Sequence, residues 1–478
     1  MARPMLVPLI VACALFMENT DSTVIATSLP AIALDLGEDP IALKLALTSY
    51  LVSLAVFIPI SGWMADRFGA KTIFRLAMAV FMLGSIGCAF SHSLETFVLA
   101  RFFQGMGGAM MVPVGRLVLL RSVPRNQMVQ ALAYLSIPAM LGPVFGPPLG
   151  GFITTYFHWQ WIFFINIPIG IAGILLATAF FENIREEDVP PLDVTGALLS
   201  AVGLSLVMFG LATGGRHLVS PVISAGATII GALAIASYVW HAKRTPHPVL
   251  DFALLSIPTF RIGVLAGFLF RIGIGAIPFL LPLMLQLGFG LDPLHSGLIT
   301  FASAVGALFM KTLAAQILRR YGFRRVMTVN AVIGSIFLVI QGFFTADMPY
   351  LLMLGLLLVG GCFRSLQFTG LNALMFSDVS KRSMSLATSF SSVAQQLSLS
   401  CGVAIGAFVL EMVSSRHPAT GIVASDFWPA FLTVALISAS SLFVLLRLSP
   451  HAGAEVSGHV DPRKATAGSI EEQRQPAE

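Results

Sequence analysis

The sequence predicts an all-α integral membrane protein: two bundles of six transmembrane helices with a further pair inserted between them. Three observations predict it. Apolar residues make up 56% of the 478 and charged residues only 11%, with a mean hydropathy of +0.87, well above a soluble globular chain. Those apolar residues gather into stretches of about twenty, the length a helix needs to cross a bilayer. A basic loop with one glycine spacing also recurs at matching places in the two halves.

Fourteen stretches qualify, taken in order: 7–32, 42–64, 73–91, 95–120, 129–156, 161–181, 194–213, 221–240, 259–287, 296–318, 326–345, 349–376, 385–412 and 427–447. None alternates polar and apolar residues over about ten positions, as the strands of a transmembrane barrel would. Two polar loops break the rhythm, an acidic one at 182–193 and a basic, proline-bearing one at 241–258. They divide the chain into an N-terminal six-helix bundle (1–190), an inserted pair with its linkers (191–245) and a C-terminal six-helix bundle (246–448). The polar tail 449–478 is expected to be disordered.

The repeat joins spans 2 and 3 through GWMADRFGAKTIF (62–74), and spans 10 and 11 through AQILRRYGFRRVM (315–327). Gly69 aligns with Gly322, Arg67 with Arg320 and Lys71 with Arg324, while Arg319 replaces Asp66. Parallel halves related by an axis along the membrane normal are a transporter architecture.

The formal net charge of +5 is explained by topology rather than by nucleic-acid binding. With the N-terminus inside, only Lys44, Arg216 and Arg416 of the 28 Lys and Arg fall in outer loops. The positive-inside rule then puts both termini in the cytoplasm. Cys13, Cys88, Cys362 and Cys401 all lie within spans, so no disulfide framework is expected. The first apolar stretch is too long for a cleavable signal peptide. Trp159 and Trp161 read as interfacial belt residues, and His158, His217, His241 and His247 as surface residues.

The stretch LGPVFGPPLGGFI (141–153) places four glycines and three prolines inside one span. Proline removes a helical donor and glycine lets a neighbouring helix come close, so this reads as a kinked helix packed tightly on another. Together with four other segments, it resembles the motifs of the major facilitator superfamily. GWMADRFGAK resembles the loop between helices 2 and 3, and LARFFQGMGGAMMVP (99–113), built on Arg101, Gln104 and Gly105, resembles the helix-4 motif. The glycine–proline stretch resembles the antiporter motif of drug:proton exporters. MENTDSTVIATSLP (17–30) and HWQWIFFINIPIG (158–170) are similar to motifs of the fourteen-helix EmrB/QacA branch. Within that branch GAMMVPVGRL (108–117) and FRIGIGAIPF (270–279) most resemble MdtD-like permeases.

The resemblance implies a major facilitator fold working by alternating access. It also implies that Asp66, with Gly62, Arg67, Gly69 and Lys71 around it, forms a latch closing the inner side; a loop that only sets topology is the plainer reading. Asp21 and Glu18 lie three residues apart on one face of span 1. Asp21 sits roughly 20–25 Å from the inner end, at a depth similar to Arg101. A carboxylate in the membrane near a cation is a proton-site candidate, although a static ion pair would look the same. Glu18 is a candidate for an added proton site. Gly142, Pro143, Gly146, Pro147, Gly150 and Gly151 read as a leak-preventing seam or as ordinary small-residue packing.

Arg116, Arg271 and Arg364 lie deep in spans 4, 9 and 12. A guanidinium at a span centre costs about 2.5–3.5 kcal/mol on insertion scales, so each should face a cavity or a partner. The resemblance implies that spans 1, 4, 9 and 12 line the substrate cavity, so these arginines, with Asn372 and Gln395, are the substrate-binding candidates. A structural or snorkelling role stays open for Arg116 and Arg364, and Lys311 is near enough to an end to snorkel. Arginine suits carboxylates and phosphates.

The expected function is a proton-coupled exporter of small organic molecules of the multidrug type, in the bacterial inner membrane. Export of a small organic anion or its metal chelate is the alternative. Expected partners are the lipid bilayer, a small-molecule substrate and protons, with the protein a monomer and no cofactor or resident metal. A non-transporting channel or sensor is disfavoured by the gating motifs. No Walker loop, HExxH or GxSxG is present, which leaves ATP-driven transport and membrane hydrolysis without support.

Overall fold

A computed structural model describes residues 3–122, 128–183, 185, 189, 191–213, 219–246, 248–380, 383–416, 422–450 and 452–453. The first half runs α1 (Arg3–Leu36), α2 (Lys44–Phe68), α3 (Ala70–Ala89), α4 (Leu94–Ser122), α5 (Met128–Tyr156), α6 (Trp161–Phe164) and α7 (Asn166–Phe180). The inserted pair is α8 (Val194–Thr213) and α9 (Pro221–Ala242). The second half comprises α10 (Pro258–Leu283), α11 (Pro293–Tyr321), α12 (Phe323–Gly342), α13 (Tyr350–Met375), α14 (Met384–Ser414) and α15 (Phe427–Leu445). Among the described residues thirteen spans, α6 and α7 forming one of them, are long and apolar enough to cross a membrane. The 29-residue α5 is the fourteenth, and its side chains before residue 141 lie outside the described set. The tail expected to be disordered lies outside it from residue 454 onward.

Local chemistry sets the helix ends. Pro221, Pro258 and Pro293 occupy first-turn positions, where the missing N–H has no partner to lose. Asp292 caps α11 by accepting from the His295 amide at 2.9 Å. The sixth span breaks at Ile165 between α6 and α7, because Pro168 offers no donor to the carbonyl of Phe164 four residues back. Prolines 143, 147 and 148, by contrast, leave α5 one continuous helix.

The repeat is visible in the backbone. Gly69 ends α2 with φ +92° and its amide on the Ala65 carbonyl; Gly322 ends α11 with φ +72° and its amide on the Leu318 carbonyl. Both are left-handed turns in which an L side chain is strained.

An even number of crossings brings the start of α1 and the end of α15 to one side, here the terminal end, opposite the far end. One apolar core at the far end joins both halves, with Ile25, Leu29 and Ile41 packed with Phe279, Leu280, Ile299 and Leu410. At the terminal end, among the described residues, the cores are separate. One holds Val11, Ile73, Phe74 and Val118 of the first half, the other Leu318, Phe323, Met327 and Leu374 of the second. Among the described residues the halves are therefore closed together at the far end and parted at the terminal end. In the inserted pair, Gly203 and Gly231 let the α8 and α9 backbones touch. Met208 of α8 packs on Val52 and Val56 of α2 and lies 3.9 Å from the Cys401 sulfur of α14. The pair thus rests on the seam between the halves.

Candidate functional site

Four helices of the first half converge on Asp21. Arg101 of α4 donates Nη1 to Asp21 Oδ2 at 2.6 Å and to Gln104 Oε1 at 2.5 Å. The other carboxylate oxygen accepts from Gln104 Nε2 at 2.7 Å and from Asn166 Nδ2, of α7, at 2.8 Å. Both amides also reach the Ser85 hydroxyl of α3, at 2.8 and 3.1 Å. Above the guanidinium lies the Tyr50 ring of α2, 4.3 Å from ring centre to Arg101 Cζ. Arg101, Gln104 and Ser85 are fully buried, and Asp21 is only 4% exposed.

The arrangement matches an ionised carboxylate. Every partner of Asp21 is a donor, and one is a cation. Adding a proton to the carboxyl would remove an acceptor site and leave Arg101 buried without a counter-charge, the costly state of a broken buried pair. A proton and a conformation can be coupled at such a site.

Sequence reasoning named Asp21, Arg101, Gln104 and Gly105, and the structure brings them together. Gly105 lies against the Tyr50 carbonyl and Ser53 of α2, where a Cβ would come within 2.7 Å. Ser85, Asn166 and Tyr50 were missed. Asn166 sits inside the segment 158–170 already singled out, so its signal was present; a single serine in span 3 carries none. Glu18 is half-buried one turn away from Asp21.

In the second half Arg271 of α10 is 1% exposed and donates Nη2 to Asn372 Oδ1 of α13 at 2.7 Å, with its Cζ 5.0 Å from the Phe368 ring centre. No carboxylate pairs with it among the described residues, and its Nε has no hydrogen-bond partner. Arg364 takes a different direction. It donates to Ser303 Oγ of α11 at 2.6 Å and borders a crevice of α10, α12 and α13 with Phe270, Phe337 and Gln341. Gln395 is half-buried on α14, and the Arg116 side chain lies outside the described residues.

The glycine–proline stretch divides its contacts between two helices. Gly142, Gly146 and Gly150, one turn apart, face α1 at Asn19–Thr20, Thr23 and Val24–Thr27. Gly151 meets Pro293 and Leu294 of α11, in the other half, where Gly297 in turn meets Pro147. Ser28 and Thr154 bond at 2.7 Å. At the terminal end Lys71 donates to the Thr178 carbonyl at 2.7 Å, a Cβ at Gly69 would strike Asn183, Asp66 is half-buried, and Arg67 is exposed. Gly62 is exposed with open space around it.

Three expectations change. Lys44, expected in an outer loop, is 2% exposed and bonded to Glu411, because it begins α2 on the side facing α14. Trp159, expected in a belt, is 3% exposed, packs on Phe97 and Phe163 and donates to Asp35 Oδ2 at 2.9 Å; Trp161 does stand exposed. His241 is partly buried against Asp193 Oδ1 at 2.7 Å. His217 and His247 lie outside the described residues.

Comparison with known proteins fits this architecture. Residues 11–260 and 263–475 match the model of the Major Facilitator Superfamily. A putative multidrug resistance protein MdtD of Citrobacter koseri is 37% identical over 447 residues, 92% of this chain and 93% of that one. Its counterpart in Salmonella dublin is 39% identical over 409 residues, 85% of this chain and 87% of that one. Among solved structures, a point mutant of the nucleoside transporter NupG matches with a TM-score of 0.65 at 13% identity, over 93% of this chain and 99% of that one. The chain belongs to the major facilitator superfamily and is a multi-pass membrane transporter, not an enzyme.

Proposed function

We propose that the protein is a proton-driven exporter of small organic molecules, of the multidrug type, in the bacterial inner membrane with both termini cytoplasmic. Asp21 carries this reading: a buried carboxylate held by Arg101, Gln104 and Asn166 inside a span. Proton arrival there frees Arg101 and shifts the balance between inward- and outward-facing states. The multidrug resistance names of the relatives support the substrate class, and the closed far end with a parted terminal end corresponds to the inward-facing state. Asp66 stabilises one end state from the α2–α3 turn.

The test is collapse of an imposed proton gradient in inside-out vesicles by a panel of lipophilic cations. The Asp21→Asn variant is expected to bind drug but lose collapse; unchanged collapse overturns Asp21 as the coupling group. Arg271, buried with no carboxylate paired to it among the described residues, favours a second reading in which the substrate bears an anionic group. Gradient collapse by citrate-like anions alone, lost on Arg271→Ala, would replace the cation panel as the substrate class.

A further inference from the structure

Lys44 Nζ and Glu411 Oε2 lie 3.0 Å apart, with side chains only 3% and 5% exposed. Lys44 begins α2 and Glu411 lies in the last turn of α14, so the bond ties the two halves at the far end. Around it the halves share one core, and Gln286, in the π-helical turn 284–288 that follows α10, spans the same division to the Thr27 carbonyl at 2.8 Å. The second oxygen of Glu411 has no hydrogen-bond partner, nor does the neighbouring Thr48 hydroxyl.

A buried ion pair adds little stability over a well-packed apolar pair, because both charges surrender their hydration. Its energetic effect depends instead on the state of the protein. With the far end closed the charges have only each other; with it open both regain water. We propose that Lys44–Glu411 is a far-side gate that holds the inward-facing state and is released as the two halves part. It rests on the alternating-access reading and gives the chain a second electrostatic element, on the opposite side of the membrane from Asp66.

The chain carries its own reporter. Cys13, on the terminal-end half of α1, is exposed, whereas Cys88 and Cys362 are buried and Cys401 half-buried. Helix α1 is enclosed by α4, α5 and α7 within its own half and faces α10 and α11 across the division, so exposure at Cys13 opens into the gap between the halves. Closing the terminal end would cover it.

The experiment is labelling of Cys13 by a membrane-impermeant maleimide in inside-out vesicles, without substrate or gradient. Removing one partner strands the other as a buried charge, so Lys44→Ala and Glu411→Ala should each slow labelling at least about threefold. The exchanged pair, Lys44→Glu with Glu411→Lys, should restore the wild-type rate. An apolar pair, Lys44→Met with Glu411→Leu, should label as wild type but export more slowly, since opening no longer hydrates two charges. If the single variants do not fold, the two paired variants carry the test. Singles labelling at the wild-type rate, or an apolar pair exporting like wild type, would overturn the gate. Loss of proton coupling is read separately by Asp21→Asn, so a failed antiport reading leaves the labelling result interpretable.

Discussion

Where α1, α3 and α4 meet in the first half, Asp21, Ser85, Cys88 and Gln104 close a polar network. At the matching place in the second half, Ile274, Leu338 and Gln341, which fall opposite Asp21, Ser85 and Cys88 when Gly322 is laid on Gly69, line the crevice of α10, α12 and α13; Gly360 joins them and falls opposite Gln104 when Gly361 is laid on Gly105. The frames correspond closely: Gly105 presses on the Tyr50 carbonyl and Gly361 on the Ser303 carbonyl. Side-chain volume is exchanged between neighbours, with Gly84 admitting Gln104 in one half and Phe337 facing Gly360 in the other. A bundle centre can thus be filled by a polar network with most partners in place or by a largely apolar lining in which Gln341 and Arg364 are the polar members, on the same backbone. Among the described residues only the first filling holds a carboxylate, so the proposed coupling at Asp21 would belong to one half.

The largest effect should come from unbalancing the polar filling. Arg101→Leu leaves the Asp21 carboxylate buried without its cation, at a cost of about 3–5 kcal/mol, read as a fall in thermal unfolding temperature in detergent. Asp21→Leu with Arg101→Leu should regain most of that stability while abolishing proton coupling. If the double variant stays as unstable as the single, the two fillings are not interchangeable and the comparison fails.

Gly105→Val and Gly361→Val should cost similar amounts, about 1–3 kcal/mol each, since each drives a side chain into a backbone carbonyl of the neighbouring helix. Unequal losses in the same unfolding assay would mean that the helical frames differ more than their contacts suggest.

Smaller again is the cap of α11. Burial would raise the Asp292 carboxyl, but hydrogen bonds from the His295 amide and ring and from the Leu294 amide outweigh it and hold the value below the ordinary carboxylate range. Its contribution is therefore present above that range and lost as pH falls through the lowered value. The residue is exposed, so solvent screens the charge. Asp292→Ala should cost about 1 kcal/mol near neutral pH, and the difference from wild type should shrink in acid. At the bottom, Gly62→Ala should stay within about 0.5 kcal/mol of wild type, because nothing lies within 4 Å of the added carbon. A large loss of export without loss of stability would give Gly62 the gating role its motif suggests.

Much of the fold is legible because a bilayer allows few alternatives: a backbone in hydrocarbon must satisfy its own hydrogen bonds, so twenty apolar residues become a helix. The Gly69 and Gly322 turns are legible for a similar reason, since few residues other than glycine tolerate that φ. Part of the site is legible too, because Asp21 and Arg101 are expensive in a membrane and stand out against an apolar background. Ser85 and Asn166 are ordinary residues until α3 and α7 are folded against α1. Lys44 misled for the opposite reason, and Glu411 gave no signal at all. Each sits near a helix end, where a charge has easy access to water, and nothing in a separation of 367 positions says that the two ends meet.

The sequence by itself determined the spans, the two-half repeat and the residue types able to hold a proton, because these follow from local hydrophobicity, glycine geometry and the cost of a buried charge. Tertiary structure alone decided which charges were matched, which half received the polar filling and at which end the halves were joined. Those are distances between residues far apart in the chain, fixed only when the helices pack.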